Sequence, residues 1–158
     1  MNKLYWAKVK KQAIIPTKKE EDAGFDIYAC SEYDITIHPN QVVLIPTGIA
    51  SSFNSKYAGI IKERGSTGTK SMAVRAGVID SGFRGEWKVA IQNTSSTTII
   101  ITDELDTHDG TNIYPKSKAI AQVVFQEVPK FEIETISYSG LKKIESSRMF
   151  DMLGDSNK

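Results

Sequence analysis

A chain of 158 residues suits one domain with a hydrophobic core of its own. Its net charge of +1 excludes a strong overall field for nucleic acid or an anionic membrane, so neither is expected as a partner. The single cysteine, Cys30, excludes an intrachain disulfide and fits a reducing cytosol, where it reads as a small buried hydrophobe. The start, Met1 to Trp6, lacks the apolar core of a signal peptide, and no run of about 18 apolar residues is available to span a membrane. A cytoplasmic protein is expected. The two histidines, His38 and His108, are far apart, which argues against a His/Cys metal site.

Strand signals dominate the chain. Leu4 to Val9 alternates, and Pro16 ends the following apolar stretch because it cannot donate to a ladder. Thr17 to Asp22 is a charged loop. Phe25, Ile27 and Ala29 share one face of a strand, and Tyr33 to Ile37 alternates again. His38-Pro39-Asn40 is a turn signal. The apolar run Gln41 to Pro46 predicts a more fully buried strand. Tyr57 to Glu63 is another strand and leads into Arg64-Gly65-Ser66-Thr67-Gly68. Ser66 to Ser71 has room for one short helix. Ala76 to Ile79 is apolar and β-branched, Ser81-Gly82 is a turn signal, and Glu86 to Ile91 resumes as a strand. This pattern predicts a β-hairpin. Thr97 to Ile101 is strongly β-prone, and Thr102 to Asn112 is a polar insertion rich in acids. Ala119 to Phe125 and Phe131 to Ile136 complete the strands, and the chain turns polar from Ser139. Short strands with turns about every ten residues predict an all-β barrel or jelly roll over residues 1–138, followed by a tail over 139–158.

Two stretches carry chemistry. The hairpin tip holds Asp80, Phe83 and Arg84, an acid, an aromatic and a guanidinium that suit a flat, partly anionic ligand. An ordinary surface hairpin with Asp80 as a turn residue explains the same composition. Arg64-Gly65-Ser66-Thr67 offers a guanidinium, two hydroxyls and accessible backbone N–H groups at a strand end. That inventory suits phosphate oxygens, although a Gly/Ser loop with a solvated arginine explains it equally. Gln122 in an apolar strand needs a partner if it points inward. An EF-hand spacing is missing from the acidic insertion.

Four segments in order, Ala23-Gly24-Phe25-Asp26, Arg64-Gly65-Ser66-Thr67, Gly77 to Glu86 and Ala119-Ile120-Ala121-Gln122, resemble the trimeric all-β dUTP pyrophosphatases (dUTPases). The resemblance implies a homotrimer of distorted, jelly-roll-like barrels with active sites at subunit interfaces. It implies hydrolysis of dUTP to dUMP and pyrophosphate with Mg²⁺, which is held mainly by the phosphates and water. On this sequence Asp80 takes the part of the base that activates the water attacking the α-phosphorus. The backbone of Gly77, Val78 and Ile79 takes the uracil edge. Phe83 stands where the family commonly has tyrosine and gates against a ribose 2′-hydroxyl. Arg64, Gly65, Ser66 and Thr67 take phosphate oxygens with the support of Gln122, and Asp26 either meets the metal through a water or braces the site.

The sequence departs from the family in three places. Gly65 interrupts the usual R-S-G. The fourth motif, G-x-R-I-A-Q, keeps its glutamine but has Ser117-Lys118-Ala119 in place of the glycine and arginine. The Gly-rich fifth motif is reduced to Arg148, Leu153, Gly154 and Ser156, with Leu153 at the uracil-stacking phenylalanine and Arg148 directed at the γ-phosphate. Slower turnover or weaker dUTP affinity is expected, and a bacterial or viral source is consistent with the pattern. A dCTP deaminase shares the fold but needs a catalytic glutamate where this chain has Ala90. A nucleotide-gated binding protein, with a regulatory partner at the tail and the insertion, is the reading from a different class.

Overall fold

The computed structural model describes residues 3–104 and 110–145. The chain divides into two compact units, Met1–Val128 and Pro129–Lys158. The first is built almost wholly of strands: β1 (Leu4–Lys8), β2 (Phe25–Ile27), β3 (Ile35–Ile37), β4 (Val42–Pro46), β5 (Ile49–Phe53), β6 (Tyr57–Lys62), β7 (Met72–Arg75), β8 (Val78–Ile79), β9 (Lys88–Asn93), β10 (Thr98–Thr102), β11 (Thr111–Pro115) and β12 (Ala121–Glu127). One helical turn, α1 (Gly65–Gly68), interrupts them.

The strands form four small sheets, ordered β1-β5, β11-β10-β3, β2-β12-β6-β8 and β4-β9-β7. Only the β10–β11 pair is parallel among these ladders. The inward faces are rich in isoleucine. Ile27, Ile37, Ile45, Ile49, Ile91, Ile99, Ile101 and Ile120 are all buried, around a fully buried Trp87 and Met72. β-branched side chains fit a pleated, half-buried surface, and each such residue removed from water contributes about 1.5–3 kcal/mol before entropy is counted. Trp6 meets Trp87 edge-on at 5.0 Å, and Phe53 meets Phe125 at 4.9 Å, closing one end of the core.

Several expectations change. The apolar run of β4 is not fully buried. Val42 and Leu44 are 50% and 63% exposed, because β4 is an edge strand with one face to water. The predicted hairpin has its turn but not its ladder. β8 pairs with β6, while β9 pairs with β4 and β7, so the two arms enter different sheets. Val78, expected in a buried strand, is exposed. β7 and β11 form where no strand was expected. Both are short, and neither carries a long apolar run.

The second unit, described over residues 129–145, holds no strand there. Phe131 and Ile133 alternate with acids but are exposed, because alternation makes a strand only where a partner supplies the ladder. A second helical turn, α2 (Tyr138–Leu141), lies where the expected tail begins, and residues 146–158 of that tail are outside the described residues. The turn is capped by the Ser137 hydroxyl, which accepts from the Gly140 N–H at 3.0 Å.

Candidate active site

The phosphate-type stretch begins where β6 ends. Arg64 is extended (φ −87°, ψ 157°) and serves as the N-cap of α1. The Arg64 N–H donates to Thr67 Oγ1 at 3.0 Å, and the Thr67 N–H donates to the Arg64 carbonyl at 3.0 Å. Thr67 is fully buried. Its hydroxyl is engaged in this cap and turned away from solvent, so Thr67 shapes the loop instead of facing a ligand. Gly65 and Ser66 remain exposed at the turn.

Three neighbouring strands bring partners to Arg64. Gln122 of β12 stands opposite Asp26 of β2 and opposite Lys62 of β6, so Asp26 and Gln122 project from one sheet face. Arg64 Nε meets Asp26 Oδ1 at 2.7 Å, and Arg64 Nη1 donates to Ser66 Oγ at 3.1 Å. Both members of the ion pair are about one-third exposed, at 32% and 31%. The Gln122 amide donates to the Glu63 carbonyl at 2.8 Å, which answers the need for a partner and ties β12 to the start of the loop. A side chain at Gly24 would place its Cβ 2.5 Å from Gln122 Oε1, so only glycine lets Gln122 lie against β2. The result is a cleft of about 340 Å³ bounded by Asp22, Gly24, Asp26, Arg64, Ser66 and Gln122.

The Asp80 stretch is separate. The Phe83 N–H donates to the Asp80 carbonyl at 3.0 Å, closing the turn. Asp80 is exposed, and the Phe83 ring folds back over Gly85 while remaining 44% exposed. Arg84 is not offered to a ligand. Its Nη1 donates to the carbonyls of Ser81 (2.6 Å) and Phe83 (3.1 Å) and braces the turn. Gly77 lies so close to β6 that a Cβ there would sit 2.6 Å from the Ile61 carbonyl, and the Ile61 N–H donates to the Gly77 carbonyl at 2.7 Å.

Register sets the spacing of the two stretches. Ile79 stands opposite Gly59, so Asp80 lies beside Ala58, six residues before Arg64 along β6. At 3.3 Å per residue that separation is about 20 Å. One chain therefore gathers Asp26, Arg64, Ser66 and Gln122, and holds the turn with Asp80 and Phe83 apart from them, while Gly77, Val78 and Ile79 lie between, against Ile61, Ile60 and Gly59. Arg148, Leu153 and Ser156 lie outside the described residues, as does His108.

Three side chains of the site region carry no local sequence signal. The Glu63 carboxylate accepts from the Val74 N–H at 2.8 Å and fastens the loop to β7. A bond from its own backbone N–H holds its pKa below the usual value of 4.5; partial burial opposes this and the Val74 bond adds to it. Tyr114 of β11 is buried and donates to the Ala119 carbonyl at 2.7 Å. Lys116 is almost fully buried and meets Asp34 at 3.6 Å and Asp103 at 3.3 Å, anchoring the start of the polar insertion.

Among the described residues, no group of three or more His, Cys, Asp or Glu is placed to hold a metal ion. The cleft offers one carboxylate, Asp26, with one oxygen on Arg64. That donor set does not cage a bare divalent ion. It fits Mg²⁺ whose shell is completed by phosphate oxygens and water, with the second Asp26 oxygen left for one of those waters. No helix among the described residues is long and apolar enough to cross a membrane.

The fold is all-β, with a cleft around a fixed, partly exposed guanidinium at the end of a central strand. Comparison with known proteins narrows the class. The dUTPase family profile matches residues 10–105. A deoxyuridine 5′-triphosphate nucleotidohydrolase of Polynucleobacter necessarius is 33% identical over 118 residues, covering 72% of this chain and 70% of that enzyme. The Pol polyprotein of caprine arthritis encephalitis virus is 28% identical over 123 residues, and the chain spans 10% of its length. Among solved structures, the dUTPase of Staphylococcus bacteriophage 80alpha (G164S mutant with dUpNHpp) superposes with a TM-score of 0.78 at 22% identity, covering 100% of each chain. The chain belongs to the dUTPase family.

Proposed function

We infer that this chain is a dUTP diphosphatase that cleaves dUTP to dUMP and pyrophosphate, and that its site is completed only between subunits of a homotrimer. The observation that carries this is the cleft in which Arg64, already oriented by Asp26 and Ser66, faces solvent beside Gln122. A guanidinium held in place before the ligand arrives binds phosphate without first paying to be ordered. Arg64 and Asp80 lie roughly 20 Å apart along the backbone of one chain, a separation that fits a shared site in which the turn of one subunit serves the cleft of another.

In this reading the Gly77–Ile79 backbone takes the uracil edge and Phe83 packs on the deoxyribose. Asp80, exposed at the turn, takes a proton from the water that attacks the α-phosphorus. The bond from the α-phosphorus to the bridging oxygen breaks, and pyrophosphate leaves. Arg64, the Gly65–Ser66 turn and Gln122 hold phosphate oxygens, while Thr67 maintains the turn they sit on. Mg²⁺, when bound, neutralises charge on the triphosphate. Arg148, Leu153 and Ser156 are assigned to cover the nucleotide from the tail.

Ala90 is buried in β9, and an apolar side chain at that position has no proton to shuttle in dCTP deamination. Pyrophosphate release from dUTP with Mg²⁺, wild type against Asp80→Asn, tests the reading. Turnover in the wild type and its loss in the variant is the expected result. Binding without turnover in the wild type favours a nucleotide-gated binding protein instead.

A further inference from the structure

We propose that Lys18 is a positioning residue for the phosphate cleft: the loop from Thr17 to Asp26 is wound around its ammonium, and that loop forms one wall of the cleft. The proposal rests on the phosphate reading of the cleft. Lys18 stands in the charged loop before β2 and belongs to none of the four motif segments. An ammonium has three N–H donors and no acceptor. Those of Lys18 meet three carbonyls of its own loop, Asp22 at 2.6 Å, Glu20 at 3.2 Å and Lys19 at 3.3 Å. The same nitrogen lies 5.7 Å from the centroid of the Phe25 ring, where cation–π attraction adds to the hold. Carbonyl dipoles aimed at one point repel one another unless a cation fills the centre, so the winding depends on Lys18.

Backbone bonds close the loop around this centre. The Asp26 N–H donates to the Thr17 carbonyl at 3.0 Å, and the Asp22 N–H donates to the Lys19 carbonyl at 3.2 Å. Asp22 Oδ2 accepts from the Lys19 N–H at 3.0 Å. The chain that leaves the cage is the cleft wall. Asp22 and Gly24 line the cleft beside Asp26, Arg64 and Gln122. Gly24 rests against Gln122, whose amide holds the Glu63 carbonyl, and the Asp26 carboxylate holds Arg64 Nε. β2 is only three residues long, so its ladder alone is a slight anchor for Asp26. An unwound loop would loosen Gly24 from Gln122 and Asp26 from Arg64. It would also free three carbonyl oxygens in a stretch that already carries Glu20, Glu21 and Asp22, beside the place where phosphate is taken.

The test combines steady-state hydrolysis of dUTP by the full chain with Mg²⁺, at low and high salt, and amide hydrogen exchange over residues 19–26 without nucleotide. Wild type, Lys18→Met and Arg64→Ala are compared. Lys18→Met keeps an unbranched stem against Phe25 and removes the donors and the charge. It should raise KM about five- to tenfold and change kcat less than about threefold, since it disorders a wall that binds and leaves the reacting groups in place. The ratio of its KM to that of the wild type should hold within about twofold between about 0.05 and about 0.5 M salt, because bonds inside the loop are short-range whereas a charge acting on the nucleotide through solvent is screened. Exchange of the Asp26 N–H should quicken about tenfold or more. An unchanged KM, a KM ratio that falls to one at high salt, or unchanged exchange over residues 19–26 overturns the proposal and leaves the cleft reading intact. If Arg64→Ala leaves KM unchanged, the cleft reading fails and this proposal with it. Should Lys18→Met not fold, Lys18→Gln is read by the same three measurements, with the same results deciding.

Discussion

The cleft around Arg64 and the turn around Asp80 lie toward opposite ends of one strand, β6, and are built in opposite ways. In the cleft nearly every polar group has a partner: Arg64 has Asp26 and Ser66, Gln122 has the Glu63 carbonyl, and Glu63 has Val74. The turn is braced from behind by Arg84, but Asp80 and Phe83 project into solvent. A preorganised cleft and a bare catalytic turn make sense together if the turn finds its surroundings on another copy of the chain. On the proposed function, electrostatic preorganisation then sits where phosphate charge would be held, and the Asp80 carboxylate would meet its water only in the assembly.

The sharpest way to break this contrast is to separate its halves. Asp80→Asn should lower kcat by about 10²–10⁴-fold with little change in KM, as loss of a general base does. Arg64→Ala should mainly raise KM, about 10- to 100-fold, because a charge-assisted contact to phosphate is lost. The informative experiment mixes the two inactive proteins after subunit exchange. If each site takes its turn from one subunit and its cleft from another, about a quarter of the sites in randomly mixed trimers carry both intact groups. Activity returning toward that level is expected. Activity that stays at the level of the two parents would show that one chain supplies both halves.

A smaller effect is expected from Gly77→Ala. The added Cβ would lie 2.6 Å from the Ile61 carbonyl, a backbone atom that cannot swing aside. β8 must then move off β6, which should cost about 1–3 kcal/mol of stability and weaken nucleotide binding with it. A thermal melt beside a dUTP titration checks both. Retained affinity in a destabilised protein would separate the pairing of β8 from recognition.

The same contrast explains what could be read in the sequence. Arg64, Ser66, Asp26 and Gln122 were legible because their order along the chain carries the family pattern, and the structure draws them together. The Asp80 turn was legible as a turn, since Ser81-Gly82 is a local signal. Its strand pairing was not, because β8 and β9 choose partners far away in the chain and no local rule reports that choice. The exposure of Val42 and Leu44 was hidden for a similar reason: an edge strand and a central strand can share one apolar pattern. Phe131 to Ile136 shows the converse, a strand pattern without a ladder. Thr67 was counted among ligand groups on its hydroxyl alone, which the helix cap engages. Glu63 and Lys116 were passed over because their roles depend on Val74 and Asp34, positions that only the fold brings near.

The smallest predicted effect concerns the strut that holds the cleft's first residue. Glu63 has a lowered pKa because its own backbone N–H and that of Val74 donate to the ionised carboxylate. A folded pKa below the unfolded one means that the ionised form favours folding. Its contribution is complete above the ordinary value of 4.5 and is lost as pH falls through the lower folded value. Glu63→Gln keeps an acceptor for the Val74 N–H but carries no charge to titrate. The melting temperature of the wild type should therefore exceed that of Glu63→Gln near pH 6, and the gap should close as pH is taken below 4. Because Glu63 leads directly into Arg64, the KM of the variant should rise slightly at neutral pH with kcat unchanged. A gap that holds constant across that acid range would place the stabilisation in the shape of the side chain, not in its charge.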